Sequence, residues 1–186
     1  KELTGFKADG ISDDFLKLLK DPRIISSLSV KYILTYEAEI KKILSSIVSD
    51  DQNIASDKVK QIKNIYNKRY ESKDGVAVYE NNFFLPRARF VKIIEKTSSF
   101  NEIKNKFRDD NFDPAITALV ENSESVYNLA NGEVVSSDYK DDSIELNIKT
   151  EGKAFLVLSD TYYPGWKAYI NGVELRFNSK NIVGAL

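Results

Sequence analysis

The pattern of hydrophobic and polar positions divides the chain into two regions of different predicted structure. In the first, apolar residues recur every three or four positions over 11–19, 37–48 and 56–66, which is the period of an amphipathic helix. Shorter helices are predicted at 22–28, after Asp21-Pro22, and at 100–107, after a Ser98 or Ser99 cap. Runs rich in branched and aromatic residues predict strands among the helices, at 30–36, 76–80, 85–94 and 116–121.

Beyond residues 122–130 the pattern changes to short strands separated by turn residues at regular spacing. These predicted strands lie at 134–139, 144–150, 154–159, 166–170 and 173–177. The sequence therefore predicts an α+β protein with two subdomains. Residues 1–125 form a helix-rich mixed α/β half, and residues 126–186 form an antiparallel, jelly-roll-like β-sandwich.

The dipeptide Asn171-Gly172 lies between alternating residues and predicts a hairpin with a two-residue turn. The predicted register pairs three sets of residues: Ile170 with Val173, Ala168 with Leu175, and Trp166 with Phe177. Because strand residues alternate between faces, these six side chains share one face, which we expect to be buried. The opposite, wet face carries Lys167, Tyr169, Glu174 and Arg176.

Composition limits the possible chemistry of this 186-residue chain. A net charge of −1 gives no electrostatic reason to expect nucleic acid as a partner. Without cysteine the chain has no disulfides or thiol chemistry, and without histidine it lacks the commonest general base and metal ligand. Because the chain also lacks methionine and begins at Lys1, we expect it to be a piece of a longer protein.

Three segments resemble, in order, the bacterial YfhO-like membrane proteins, which are related to the GT-C class of glycosyltransferases. The densest match is LSDTYYPGWKAYINGVE within 155–177. The segment NNFFLPRARFV at 81–91 is similar to the asparagine and "LPRA" element of the family, and LSVKYILT at 28–35 is similar to its "nVKYvl" strand. In the family further strands follow this C-terminus, so we expect the sandwich to be incomplete.

The resemblance implies an extracytoplasmic domain at the cell membrane, attached to the transmembrane portion of a parent protein. That parent would transfer sugars from a polyprenyl-phosphate donor to a cell-envelope glycopolymer. The catalytic acid of GT-C proteins lies in an early loop outside this chain, so no catalytic residue and no cofactor is expected here. The domain would bind the acceptor or brace the membrane part, or it would be a structural or protein-interaction module without saccharide binding.

Aromatic residues around the Pro-Gly turn are the first candidate binding surface. Tyr162, Tyr163, Trp166 and Tyr169 could stack on sugar rings. The alternative is that Trp166 lies in the core and the tyrosines brace a corner, since large aromatic residues mostly serve burial. Tyr169 is on the face opposite Trp166 and is the better candidate for an exposed contact.

Arg87 and Arg89 are the second candidate surface. They alternate along a predicted strand, so both project from the same face. Paired guanidinium groups can hold a phosphate or an anionic polymer. The alternative is that both form salt bridges with nearby acids.

Self-contained enzyme chemistry and a tight metal site have little support. Asp160 with Glu174 or Asp138 could form a glycosidase pair, but its required separation of about 5–9.5 Å is not imposed by their spacing. The acidic segments 109–111 and 141–142 lack the spaced ligands and central glycine of a calcium loop. The sequence therefore predicts no metal site.

Overall fold

The computed structural model describes residues 22–40, 64–109, 111–121, 124–160 and 165–175. These residues are mostly strands, arranged in several small sheets without a closed barrel among them. The chain divides into two compact units, residues 1–84 and 85–186, whereas the change of sequence pattern falls near 122–130. Each unit is considered by itself.

The helix-rich N-terminal half predicted from the sequence is not supported. In the described residues before 122 the helices are α1, Pro22–Ser27, and α2, Phe100–Arg108, together with helical residues at 37–40, where the described range stops. The prediction at 11–19 and most of those at 37–48 and 56–66 lie outside the described residues. Tyr66, placed on a helix by its spacing, instead begins a strand, because non-local pairing overrides a short helical pattern.

The first unit contains a three-stranded antiparallel sheet. Its strands are β1, Tyr32–Tyr36, β2, Tyr66–Glu71, and β3, Val76–Asn81, in the order β1-β3-β2. One face of the sheet packs on a buried cluster that α1 also joins. The cluster consists of Ile25, Ile33, Ile40, Ile65, Tyr66, Ala77 and Tyr79.

The second unit contains eight described strands in four two-stranded sheets. The strands are β4, Ala88–Val91, β5, Ile93–Thr97, β6, Thr117–Glu121, β7, Gly132–Tyr139, β8, Ile144–Thr150, β9, Phe155–Leu158, β10, Ala168–Ile170, and β11, Val173–Leu175. Strand β4 pairs with β9, β7 with β8 and β10 with β11, all antiparallel, whereas β5 and β6 are parallel.

The predicted strand 85–94 is divided in the structure into β4 and the start of β5. The backbone amides of Lys92 and Ile93 both donate to the carbonyl of Ile116, at 2.8 and 3.0 Å. This junction takes the chain from its antiparallel partner β9 to its parallel partner β6. The sequence pattern is continuous across Lys92, so only the change of partner reveals the division.

Helix α2 begins where its sequence predicts. Ser99 is the N-cap, its hydroxyl accepting from the Glu102 amide at 3.2 Å. The Glu102 carboxylate accepts from the amide of Ser98, the residue before the cap, at 2.7 Å, which ties the incoming chain to the first turn. Near the other end, the ammonium of Lys106 lies 2.6 Å from the Glu95 carboxylate, and this hydrogen bond raises the pKa of Lys106.

The hairpin of β10 and β11 has the predicted register. Ala168 pairs with Leu175 and Ile170 with Val173, and Asn171 and Gly172 have φ values of 49° and 80°, as a type I′ turn requires. The expected pairing with Phe177 lies outside the described residues. The expectation that this face is wholly buried was wrong at the tip, where Ile170 is 49% and Val173 is 67% exposed.

Close contact between Gly132 and Phe90 fixes β7 beside β4. A Cβ atom added at Gly132 would lie 2.4 Å from Cγ of the Phe90 ring. Because this atom is at the base of the ring, the side chain cannot swing away without moving its strand. Gly132 is therefore the residue that lets the two strands approach.

We expect Gly132→Ala to lower the free energy of unfolding by about 1–3 kcal/mol, the usual cost of overpacking. Urea denaturation monitored by fluorescence measures this change. Gly152→Ala is the matched control, since its added Cβ would lie at an ordinary distance of 3.4 Å from the Cβ of Ala130. Equal effects of the two substitutions would contradict the steric explanation.

Candidate functional site

The pairing of β4 with β9 positions both candidate arginines beside the residues that follow β9. Arg89 is opposite Val157 in the register. One step beyond the ladder, the carbonyl of Arg87 accepts from the Ser159 amide at 2.7 Å. Since side chains two positions apart share a face, Arg87 and Arg89 project together toward Ser159 and Asp160. We call Arg87, Arg89, Tyr139, Ser159 and Asp160 the arginine site.

Arg87 is the accessible cation of the arginine site. Its guanidinium forms an ion pair with the Asp160 carboxylate. Its Cζ atom lies 4.7 Å from the ring centroid of Tyr139, the last residue of β7, in a cation–π contact. The side chain is nevertheless 41% exposed. Two restraints therefore hold the guanidinium in place while part of it still faces solvent.

Arg89 is the buried cation of the site, with only 9% of its surface exposed. Its Nη1 donates to the Ser159 hydroxyl at 2.8 Å, and within the described part of the chain its Nε has no hydrogen-bond partner. No carboxylate among the described residues pairs with it, and burial lowers the pKa of Arg89. A guanidinium in this position remains charged, and removing it from water costs free energy.

The arginine site therefore carries an unbalanced positive charge. It holds two guanidinium groups and one carboxylate, and Asp160 already pairs with Arg87. No neighbouring acid in the described ranges cancels the charge of Arg89, and the field of this charge is weakly screened because the group is buried. The Nε atom of Arg89 is shielded from solvent. An anion that enters the site would therefore contact Arg87 directly, and the electric field of the Arg89 charge would contribute to its binding.

The sequence left two hypotheses for Arg87 and Arg89, anion binding and salt bridging with nearby acids, and the structure distinguishes the two residues. Salt bridging with a nearby acid is confirmed for Arg87, whose partner is Asp160. Arg89 instead bonds a hydroxyl. Tyr139 was not predicted as part of the site. No local signal in the sequence shows that Tyr139, at the end of β7, will lie beside Arg87.

The acids considered as a glycosidase pair each have a cationic partner. Asp160 pairs with Arg87, Lys140 lies 3.3 Å from Asp138, and Lys167 lies 3.7 Å from Glu174. These carboxylates form ion pairs on separate strands or turns and are not shown facing a common cleft.

The aromatic candidates are only partly described by the structure. Tyr162 and Tyr163 lie outside the described residues, Trp166 is half-buried before β10, and Tyr169 on β10 is 55% exposed. The exposure of Tyr169 matches its predicted position on the face opposite Trp166. Saccharide binding by these residues stays a prediction.

Other kinds of site receive no support from the described residues. The described ranges contain no group of three acidic, histidine or cysteine side chains placed to hold a metal ion. The Asp109 carboxylate accepts from the backbone and side-chain amides of Asn111 at 2.9 and 3.1 Å, which closes a local turn. None of the helices in the described ranges is long and apolar enough to cross a membrane.

Comparison of the chain with protein-family models, with curated proteins and with solved structures finds no match.

Proposed function

We propose that this chain is an accessory, non-catalytic domain that binds a phosphate-bearing cell-envelope glycopolymer at the arginine site. It would belong to the extracytoplasmic face of a polytopic membrane protein that transfers sugars from a polyprenyl-phosphate donor. The short sheets of residues 85–186 would be part of a layered β-sandwich completed by further strands. The transmembrane portion of the parent protein would be its permanent partner.

The observation that carries this proposal is the buried charge of Arg89. A guanidinium that is nine-tenths buried and has no acidic partner in the described chain is costly to fold. An anionic ligand lowers that cost, because it supplies the missing negative charge in a region of weak screening. The exposed guanidinium of Arg87, fixed by Asp160 and Tyr139, would provide the direct hydrogen bonds to phosphate oxygens.

The geometry favours a phosphodiester over a neutral sugar at this site. Phosphate accepts paired N–H bonds from arginine and has the charge that the site lacks. The acidic partner of Arg87 is exposed enough, at 28% of its side chain, to be released into water when phosphate replaces it. The saccharide part of the polymer would then extend toward solvent past the Tyr139 ring.

A titration of the isotopically labelled chain with an oligo(glycerol phosphate) fragment tests this proposal by NMR. We expect shifts at Arg87, Tyr139 and Ser159 that weaken as salt is added. Arg87→Gln should reduce the affinity about 10- to 100-fold, since a charge-assisted hydrogen bond contributes about 1.5–3 kcal/mol.

Arg69→Gln is the matched control for that titration. Arg69 is an exposed arginine in the other unit and also pairs with an acid, Glu80. Its loss changes the net charge equally but removes no part of the arginine site. Equal weakening by both substitutions would show non-specific attraction, and an absence of shifts at millimolar ligand would refute the proposal.

A second function, that of a protein-interaction or structural module, is favoured by the tip of the β10–β11 hairpin. Ile170 and Val173 present aliphatic side chains to solvent there, as a surface that docks on another protein would. Substituting Ile170 with lysine should then disrupt assembly with the parent protein without changing glycerol phosphate binding.

A further inference from the structure

The chain contains two Asn-Gly dipeptides, and the structure places them in opposite surroundings. Asn131-Gly132 lies at the start of β7, and Asn171-Gly172 forms the turn between β10 and β11. Asparagine followed by glycine is the pair of residues most prone to spontaneous deamidation, because glycine has no Cβ atom to hinder attack by its own amide nitrogen. Whether such a pair reacts in a folded chain depends on its local restraints.

The reaction begins when the backbone nitrogen of the glycine attacks Cγ of the asparagine. The new N–Cγ bond closes a succinimide ring, and the Cγ–Nδ2 bond breaks to release ammonia, which carries away the amide proton. Water then opens the imide at either of its C–N bonds. Opening at Cγ gives aspartate, whereas opening at the backbone carbonyl gives isoaspartate, in which the main chain runs through the former side chain.

Neighbouring residues restrain Asn131 and Gly132. The Oδ1 atom of Asn131 accepts from the ammonium of Lys92, and its backbone carbonyl accepts from the Glu151 amide at 3.4 Å. Gly132 lies so close to the Phe90 ring that an added Cβ atom would overlap it. Closing the succinimide requires the peptide between the two residues to turn, which would break these bonds and move Gly132 against the ring. The fold therefore protects this dipeptide.

The described structure places no such restraints on Asn171 and Gly172. Both residues are exposed. Neither the side chain of Asn171 nor the amide of Gly172 forms a hydrogen bond with the rest of the described chain. A Cβ atom added at Gly172 would meet nothing within 4 Å. The peptide between them therefore has room to turn.

The hairpin that carries Asn171 is also easy to open. Strands β10 and β11 have three residues each, and within the described ranges they pair only with each other. A two-stranded hairpin is marginally stable by itself, and an exposed tip with little packing opens at a low local free energy. Ile170 and Val173, which close the turn, are 49% and 67% exposed and add little packing.

We propose that Asn171 is a site of spontaneous deamidation that converts an apolar hairpin tip into a charged one. Both products place a carboxylate between Ile170 and Val173. Isoaspartate also lengthens the main chain of the turn by a methylene group. Because a two-residue turn fixes the register of its strands, the longer turn disrupts the pairing of Ala168 with Leu175. The site is independent of phosphate binding by the arginine site.

Incubation of the folded chain at mildly alkaline pH, followed by tryptic digestion and fragment-ion sequencing, tests the proposal. We expect aspartate and isoaspartate to form at position 171, within the peptide 168–176, at least about tenfold faster than at position 131. This ratio corresponds to a difference of about 1.4 kcal/mol in the free energy of local opening. Both rates should rise with pH, because the attacking nitrogen must lose its proton.

The chain unfolded in guanidinium chloride is the matched control. Both dipeptides are then unrestrained and should react at similar rates. Asn171→Gln should stop the reaction in the hairpin, because its longer side chain closes a larger ring, and should leave both the rate at Asn131 and glycerol phosphate binding unchanged. Equal rates at the two sites of the folded chain, or a faster reaction at Asn131, would overturn the proposal. So would a folded chain in which Asn171 stays intact while the unfolded chain reacts.

Discussion

Replacing Arg89 with methionine is expected to raise the free energy of unfolding by about 1–3 kcal/mol while weakening binding of oligo(glycerol phosphate). Removing a buried charge in favour of an apolar side chain of similar size is often stabilising by this amount. At Arg89 the gain should be realised, because its Nε is unpaired within the described chain and only the Ser159 hydroxyl is lost as a partner. A substitution that stabilises the fold but weakens binding identifies a residue that contributes to binding at a cost in stability.

Urea denaturation with and without the phosphate ligand measures both effects of Arg89→Met. Arg87→Met is the matched control, because it removes the same charge from the exposed member of the arginine site. Its effect on unfolding should be within about 1 kcal/mol, as for other exposed ion pairs, although it also weakens binding. If Arg89→Met instead destabilised the fold by several kcal/mol, the buried guanidinium would be a structural residue and the binding proposal would lose its basis.

Replacing Asn81 with alanine is expected to lower the free energy of unfolding by about 2–4 kcal/mol, since each orphaned buried partner costs about 1–3 kcal/mol. Asn81 is 2% exposed at the end of β3. Its side-chain amide donates to the carbonyl of Val30 at 3.0 Å and to the Ser26 hydroxyl at 3.2 Å. Its Oδ1 accepts from the Phe83 amide at 3.0 Å.

The same denaturation measurement checks the Asn81 prediction. Asn82→Ala is the control, because its side-chain hydrogen bonds to Asn64 and Asn67 are exposed to solvent and water can replace them. It should cost less than about 1 kcal/mol. Asn81→Asp should be as harmful as alanine, because a carboxylate would place an acceptor against the Val30 carbonyl. A neutral effect of both Asn81 substitutions would mean that these bonds do not hold α1 and β3 together.

The candidate sites were only partly open to prediction. The alternation of strand residues placed Arg87 and Arg89 on one face and therefore predicted the same environment for both. In the structure Arg87 pairs with Asp160, whereas Arg89 is buried. That difference arises because β9 and the end of β7 approach from distant parts of the chain.

By itself the sequence determined those features that depend on neighbouring residues. These include a serine cap for α2 at Ser98 or Ser99, the Asn171-Gly172 turn with its two-residue register, and the limits set by the absence of cysteine and histidine. Tertiary structure alone decided the strand at Tyr66, the division at Lys92 and the surroundings of Arg89. The physical reason is that backbone conformation in a cap or turn is set within a few residues. Strand partners, burial and the balance of charge are instead set by segments that meet only when the chain folds.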